Sequence, residues 1–141
     1  MDTLNPELAR LVQSLRDHFP TYIRVSDAPP FSVWVTPQHE ASPMYLIDLG
    51  AEFVFGVGRG ECRWELEFAG GDLNFLRQVW ESVVLGQVRE VFGPARSRIQ
   101  VGLADGTTVQ TSQADFPRGC LPVPFWTRNR KRTVQYAPYR T

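Results

Sequence analysis

Two histidines, His18 and His39, are the candidate bases for nucleophilic catalysis, which normally places a histidine beside a Ser, Cys or Thr. His18 falls at the end of a predicted helix, where a histidine usually interacts with unsatisfied carbonyl groups. His39 falls in a predicted loop, with no evident partner in the neighbouring sequence. We therefore predict no catalytic residue of this type.

Metal binding is also not expected from the residue spacing. A structural zinc site usually takes four Cys or His ligands at short local spacing. The candidate ligands His18, His39, Cys62 and Cys120 are scattered singly along the chain. We expect no metal site, no cofactor and two reduced, mostly buried cysteines, because one cysteine pair is a weak disulfide signal in a domain of this size.

Carboxylates offer the acid–base chemistry that the residue types permit. The candidates are Glu52, Glu65 and Glu67, together with Asp48. Glu65 and Glu67 alternate with apolar residues, which is typical of the wet face of a sheet. If another element covered that face, burial would raise the pKa of these groups and make them candidates for catalysis.

The glycine-rich run 56–60 follows a predicted strand, as a phosphate-binding loop does. A phosphate loop must next open a helix, whose amino terminus supplies the anion site. Here the chain enters another predicted strand at Cys62. We interpret the run as a hairpin turn.

The carboxy-terminal stretch combines bases with aromatic residues and contains no acid from residue 118 onward. This composition is typical of a protein–protein hot spot, and also of a surface that holds nucleic acid through phosphate contacts and base stacking. A simple edge strand is the third interpretation. The candidate partner-binding residues are Arg118, Trp126, Arg128, Arg130, Arg132, Tyr136 and Tyr139.

Hydrophobic spacing predicts two helices and a series of strands. Asn5 and Pro6 begin the first helix, which Pro20 ends, and Asp72 begins the second, which Gly86 ends. The predicted strands cover residues 22–25, 31–36, 44–49, 53–57, 62–68, 88–92, 98–103, 107–111 and 132–136. We expect one α+β domain over residues 1–141, with a twisted, mainly antiparallel sheet and both helices packed on one face.

The aromatic residues Trp34, Phe55, Trp64 and Trp80 recur at helix and strand spacing. We expect them in the core, although a cavity between sheet and helices could use them to bind a small molecule.

Length and composition bound the class of protein. The chain has 141 residues, of which 43% are hydrophobic and 21% charged, and its net charge is zero. This composition is that of a globular protein, and no apolar run is long enough to span a membrane. The amino terminus lacks the features of a signal peptide, so we expect a cytoplasmic protein. Lys131 is the only lysine against fourteen arginines, which suggests a GC-rich bacterial gene.

Three runs in the last third of the chain carry a resemblance: Leu103–Thr107, Gly119–Pro122 and Val134–Tyr139. They resemble the tails of small actinobacterial proteins, and the size and α+β layout resemble immunity proteins of polymorphic toxin systems. The resemblance implies a bacterial, non-catalytic protein that occludes the active site of a cognate toxin. Two alternatives stay open: a small-molecule-binding domain or enzyme that uses sheet carboxylates, and a nucleic-acid-binding protein that uses the basic aromatic tail.

Overall fold

The computed structural model describes residues 4–26, 28–38, 40–60, 62–93, 96–114 and 132–140. Within these residues the chain forms two helices and nine strands, which confirms the predicted α+β class with mainly antiparallel pairing. In chain order they are α1 (Pro6–His18), β1 (Tyr22–Val25), β2 (Phe31–Thr36), β3 (Met44–Asp48), β4 (Glu52–Val57), β5 (Arg63–Glu67), α2 (Asp72–Val84), β6 (Val88–Phe92), β7 (Arg96–Gly102), β8 (Thr108–Ala114) and β9 (Arg132–Gln135).

Helix α1 begins where the sequence predicts. The side chain of Asn5 accepts a hydrogen bond from the backbone N–H of Glu7 at 2.9 Å, and Pro6 occupies the first helical position. The backbone N–H of Asn5 donates to Asp48 Oδ2 at 3.0 Å, which ties the helix start to the end of β3. The helix buries Leu8, Val12 and Leu15.

The described strands form two sheets where the sequence suggested one. Strands β1 to β5 pair in chain order, and the second sheet has the order β8-β7-β6-β9. Every ladder in both sheets is antiparallel. At the junction, Thr111 Oγ1 of β8 donates to the Arg63 carbonyl of β5 at 2.8 Å, but no backbone ladder joins these two described strands. Helix α2 contacts both β5 and β7, so it lies across the junction.

Both helices pack on the inner face of the sheets. One hydrophobic cluster joins the buried side of α1 and α2 to inward residues of both sheets, among them Val33, Leu46, Phe55 and Ile99. The opposite face of the five-stranded sheet is not covered by the described residues, since alternate positions such as Trp34 and Thr36 are exposed. No helix in the described part of the chain is long and apolar enough to cross a membrane.

The centre of the core is an aromatic group around Phe55. Its fully buried ring lies 5.9 Å from the Trp64 ring and 6.1 Å from the Trp80 ring, between centroids. Phe55 and Trp80 are buried in the core as predicted, and Trp64 is half-buried and packs against it.

We expect Phe55→Ala to lower the free energy of unfolding by roughly 3–5 kcal/mol, because it removes a fully buried ring and leaves a cavity. Urea denaturation followed by circular dichroism measures this change. Leu85→Ala is the matched control: Leu85 is 57% exposed, and its truncation should change stability by less than about 0.5 kcal/mol. Equal effects of the two changes would contradict the assignment of Phe55 to the core.

Candidate binding face on the five-stranded sheet

The tail tyrosines predicted to contact a partner are buried. Tyr136 is 1% exposed and Tyr139 is 7% exposed. The hydroxyl of Tyr136 donates to Glu90 Oε1 at 2.5 Å, and that of Tyr139 donates to the Ser42 carbonyl at 2.6 Å. Burial raises the pKa of both hydroxyls well above the usual value, and at Tyr136 the hydrogen bond to Glu90 adds to the effect. This corrects the expectation that the two rings contact a partner, because they hold the tail to the core.

The bases of the tail remain predictions. Arg132 is exposed at the start of β9, with its guanidinium carbon 4.9 Å from the centre of the Phe92 ring. The other candidates of that group, Arg118, Trp126, Arg128 and Arg130, lie outside the described residues, as do Cys120 and His39.

The three candidate catalytic glutamates lie on the open face of the five-stranded sheet. Glu52 stands directly opposite Glu67, and Glu65 stands opposite Val54. All three carboxylates are exposed, and Arg63 Nε lies 3.9 Å from Glu65 Oε1. The described residues leave this face open, so they do not form the roofed, partly apolar site that acid–base catalysis needs.

The histidine and cysteine candidates that the structure describes also make local structural contacts. His18 Nδ1 lies 2.7 Å from the Ser14 carbonyl in the last turns of α1, as expected for a helix-end histidine. Cys62 is buried, and its Sγ lies 3.4 Å from the Ser97 hydroxyl oxygen. No group of three or more His, Cys, Asp or Glu side chains in the described part of the chain could hold a metal ion.

Five residues that are paired from strand to strand form a row across the open face. Arg24 pairs with Trp34, Trp34 with Tyr45, Tyr45 with Gly56, and Gly56 with Arg63, so the row crosses all five strands. Residues paired in this way project from the same side of a sheet. The open face therefore carries two aromatic rings between two arginines.

The rings of this row are stacked on each other. The Trp34 and Tyr45 centroids are 4.6 Å apart with planes 20° from parallel, and the guanidinium carbon of Arg24 is 6.0 Å from the Trp34 ring. A Cβ at Gly56 would overlap the Tyr45 ring, so the glycine leaves the space in which that ring lies. Trp34 is 38% exposed. The prediction that Trp34 belongs to the core is therefore wrong.

A groove lies at one end of this face, beside the ring pair. Its volume is about 610 Å³, within the range of about 300–1,000 Å³ that is usual for ligand clefts. It runs between the ends of β2 and β3 and the turn that joins β4 to β5. The described lining contains two arginines and no acid, and consists of Trp34, Val35, Thr36, Pro43, Met44, Tyr45, Ile47, Gly58, Arg59, Gly60 and Arg63.

A fully buried carboxyl group holds that turn in place. Glu90, on β6 of the other sheet, is 0% exposed. Its Oε1 accepts the backbone N–H of Arg59 at 2.9 Å, and its Oε2 accepts that of Gly60 at 3.0 Å. With the Tyr136 hydroxyl, three donors point at one carboxyl group, which suits an acceptor-only carboxylate. The Arg59 N–H also lies 3.0 Å from the Tyr136 hydroxyl oxygen.

The same turn is fixed from its other side. The Gly58 N–H donates to Ser42 Oγ at 2.9 Å and to the Pro43 carbonyl at 3.0 Å. Gly58 has a φ of +89°, and a Cβ there would collide with the Glu90 carboxyl group. The prediction of a glycine-rich hairpin turn is thus supported, and the glycine is needed for the close approach of Glu90.

Comparison of the chain with known protein families, with curated proteins and with solved structures gave no match. The face and its groove must therefore be interpreted from their own chemistry. Sequence reasoning missed both, although one signal was present: Trp34 stands between Val33 and Val35 in an alternating strand, so burial of the two valines directs the tryptophan to the opposite face.

We expect Glu90→Gln to lower the free energy of unfolding by about 2–3 kcal/mol, because one of the hydrogen-bond donors around the side chain would then face an amide NH₂ group. Thermal and urea denaturation measure this loss. Glu81→Gln, on the exposed side of α2, is the control and should leave stability within about 0.5 kcal/mol. A stability change as small as that of the control would show that Glu90 does not hold the turn.

Proposed function

We propose that this domain is a non-catalytic protein-binding protein of the inhibitor or immunity kind, and that it contacts its partner through the open face of the five-stranded sheet. The observation that carries the proposal is the exposed row of Arg24, Trp34, Tyr45, Gly56 and Arg63. A cytoplasmic bacterial protein that occludes the active site of a toxin would use such a surface and would need no chemistry of its own.

The residue types of the row support a protein partner. Trp, Tyr and Arg are the side chains most enriched at the energetic centres of protein interfaces. Here they stand on a paired sheet, and the stack of Trp34 on Tyr45 fixes both rings before a partner arrives. A surface that is already ordered loses less conformational entropy on binding. Ordered, exposed aromatic rings of this kind favour tight association.

The charges on the same face are separated. Arg59 and Arg63 lie at the groove end, whereas Glu52 and Glu67 lie at the opposite ends of the same two strands. A partner with the reverse arrangement of charge would be steered into one orientation and would associate faster. An immunity protein gains from both effects, since it must reach its toxin quickly.

We expect Trp34→Ala to weaken a one-to-one complex with a toxin-domain protein encoded beside this gene by about 30-fold, or about 2 kcal/mol, because it removes a central aromatic anchor. Isothermal titration calorimetry on the co-expressed and refolded pair measures this change. Gly56→Ala should also weaken the complex, because its Cβ displaces the Tyr45 ring, on which Trp34 is stacked.

Gln110→Ala is the control for this experiment. Gln110 is exposed on β8, on the outer face of the other sheet, and its change should leave affinity unaltered. A complex whose affinity is unaffected by Trp34→Ala, or one that Gln110→Ala weakens equally, would contradict the proposal. Failure of the neighbouring gene product to bind the wild-type domain would argue against the immunity class.

A second candidate function, nucleic-acid binding, is favoured by the outer face of the four-stranded sheet. Arg89, Arg96 and Arg98 are exposed there, and their buried neighbours in each strand show that they point outward. Arg89 donates to Gln100 Oε1 at 2.7 Å, and Gln100 to Gln110 at 3.4 Å. None of the described outward residues of this sheet is acidic. The basic tail residues 128–132 immediately precede or begin β9, an edge strand of the same sheet.

If this second function holds, labelled single-stranded and duplex oligonucleotides should bind at low salt and lose affinity steeply as salt rises, because phosphate contacts release counterions. The double change Arg96→Ala and Arg98→Ala should reduce both the affinity and the salt dependence, as measured by fluorescence anisotropy. Arg10→Ala, on exposed α1, is the matched control. Absence of binding at low salt would exclude this candidate.

A further inference from the structure

We propose that the groove beside the Trp34–Tyr45 pair receives a short, extended, acidic segment of the partner, whose carboxylates pair with Arg59 and Arg63. This inference rests on the protein-binding function proposed above and names the chemistry of the partner at that face. The proposed occupant is an acidic peptide segment with an apolar side chain at its centre.

The charge of the groove is complementary to that of an acidic segment. The described lining of the groove includes two guanidinium groups and no carboxylate. Arg59 is exposed, its guanidinium carbon lies 5.7 Å from the centre of the Tyr136 ring, and none of the described carboxylates forms an ion pair with it. Arg63 approaches Glu65 at 3.9 Å with both side chains largely in solvent, and such an exposed pair is easily exchanged for a better one. Both guanidinium groups are therefore accessible to bidentate carboxylates, which would replace only exposed contacts.

The floor of the groove is apolar and suits an apolar side chain of the segment. Tyr45 and Ile47 line it next to Trp34, so its base is aromatic and aliphatic, and Arg59 and Arg63 line its β4–β5 side. An extended peptide presents every second side chain to the same surface. One apolar side chain on the ring pair, flanked by acidic residues, matches this order of apolar floor and basic wall.

The backbone of the turn restricts the kind of anion. The N–H groups of Gly58, Arg59 and Gly60 already donate to Ser42, Glu90 and their neighbours. The described residues of the turn thus offer no free cradle of backbone amides for a phosphate, and the anion contacts they can make come from arginine side chains. Planar carboxylates fit these side chains in the bidentate geometry.

The remaining charges of the face favour a peptide over a nucleic-acid strand. Glu65 stands beside the groove, and Glu52 and Glu67 lie further along the same two strands. A nucleic-acid strand carries a charge on every phosphate and would be repelled as it passed these carboxylates. A peptide places its acidic residues only where the arginines are, and can carry neutral or basic residues over the glutamates.

The test uses the full-length domain and a synthetic fluorescein-labelled peptide in which glutamates flank one central phenylalanine. The matched probe replaces every glutamate by glutamine. We expect the acidic peptide to bind at least about tenfold more tightly than the glutamine peptide, and the difference to shrink as salt rises. The indole N–H signal of Trp34 should shift on titration in ¹⁵N–¹H NMR spectra, which places the peptide at the groove.

The double variant Arg59→Gln and Arg63→Gln should weaken the acidic peptide by about tenfold or more, whereas Arg89→Gln, on the other sheet, should not. Thermal unfolding of each variant confirms that it is folded, and the wild-type comparison of the two peptides stands even if a variant is not. Equal affinity for the two peptides, or equal effects of the two arginine changes, would overturn the inference. Tighter binding of an oligothymidine at the same Trp34 signal would also overturn it, in favour of nucleic acid.

The affinities of the variants for the partner protein distinguish failure of the acidic-segment proposal from failure of the proposed protein-binding function. If Trp34→Ala weakens the complex and the double arginine variant does not, the protein-binding face stands and the acidic segment is wrong. If neither change weakens the complex, the proposed function itself fails. If both weaken it, and the arginine variant also lowers its salt dependence, the acidic segment is supported.

Discussion

The hydrogen bonds of the Glu90 carboxyl group are the constraint on which the rest of this structure depends. They join the two sheets, because Glu90 belongs to the four-stranded sheet while the N–H groups of Arg59 and Gly60 belong to a turn of the five-stranded sheet. A carboxyl group with no exposed surface is costly to bury unless its acceptor atoms are satisfied. Two backbone donors and the Tyr136 hydroxyl satisfy them, so the turn, β6 and the tail can only be assembled together.

The end of the chain is therefore part of the core and not an appendage. Tyr136 reaches Glu90, and Tyr139 reaches Ser42, whose own hydroxyl accepts from Gly58 in the same turn. A parallel bridge between Ala41 and Ala137 closes the same region. The mixture of bases and aromatics in the tail thus separates by burial: the two tyrosines are structural, while Arg132 stays at the surface.

The sequence predicts the elements well and their assembly poorly. The Asn5 cap, the start of α1 and the alternation of β5 follow from local chemistry, and the structure has each of them. The division into two sheets depends on which strands pair at long range, and no local pattern contains that information. In the sequence, Glu90 is the second of two adjacent polar residues in β6, and its burial becomes evident only when the turn at 58–60 is placed against it. Alternation could have directed Trp34 outward, yet only the cross-strand register brings it beside Tyr45.

The same turn serves the stability of the fold and carries Arg59 of the proposed binding groove. The bonds that satisfy Glu90 use the backbone of Arg59, so they set where the Arg59 side chain begins, and its exposed guanidinium group lies over the Tyr136 ring. The ring pair is fixed in a comparable way, because Gly56 gives Tyr45 its place and Tyr45 supports Trp34. Apolar rings kept ordered at a surface contribute little to folding compared with the buried group around Phe55, and such rings usually mark a contact site. The interior of this protein thus orders a face whose side chains are better suited to binding than to stability.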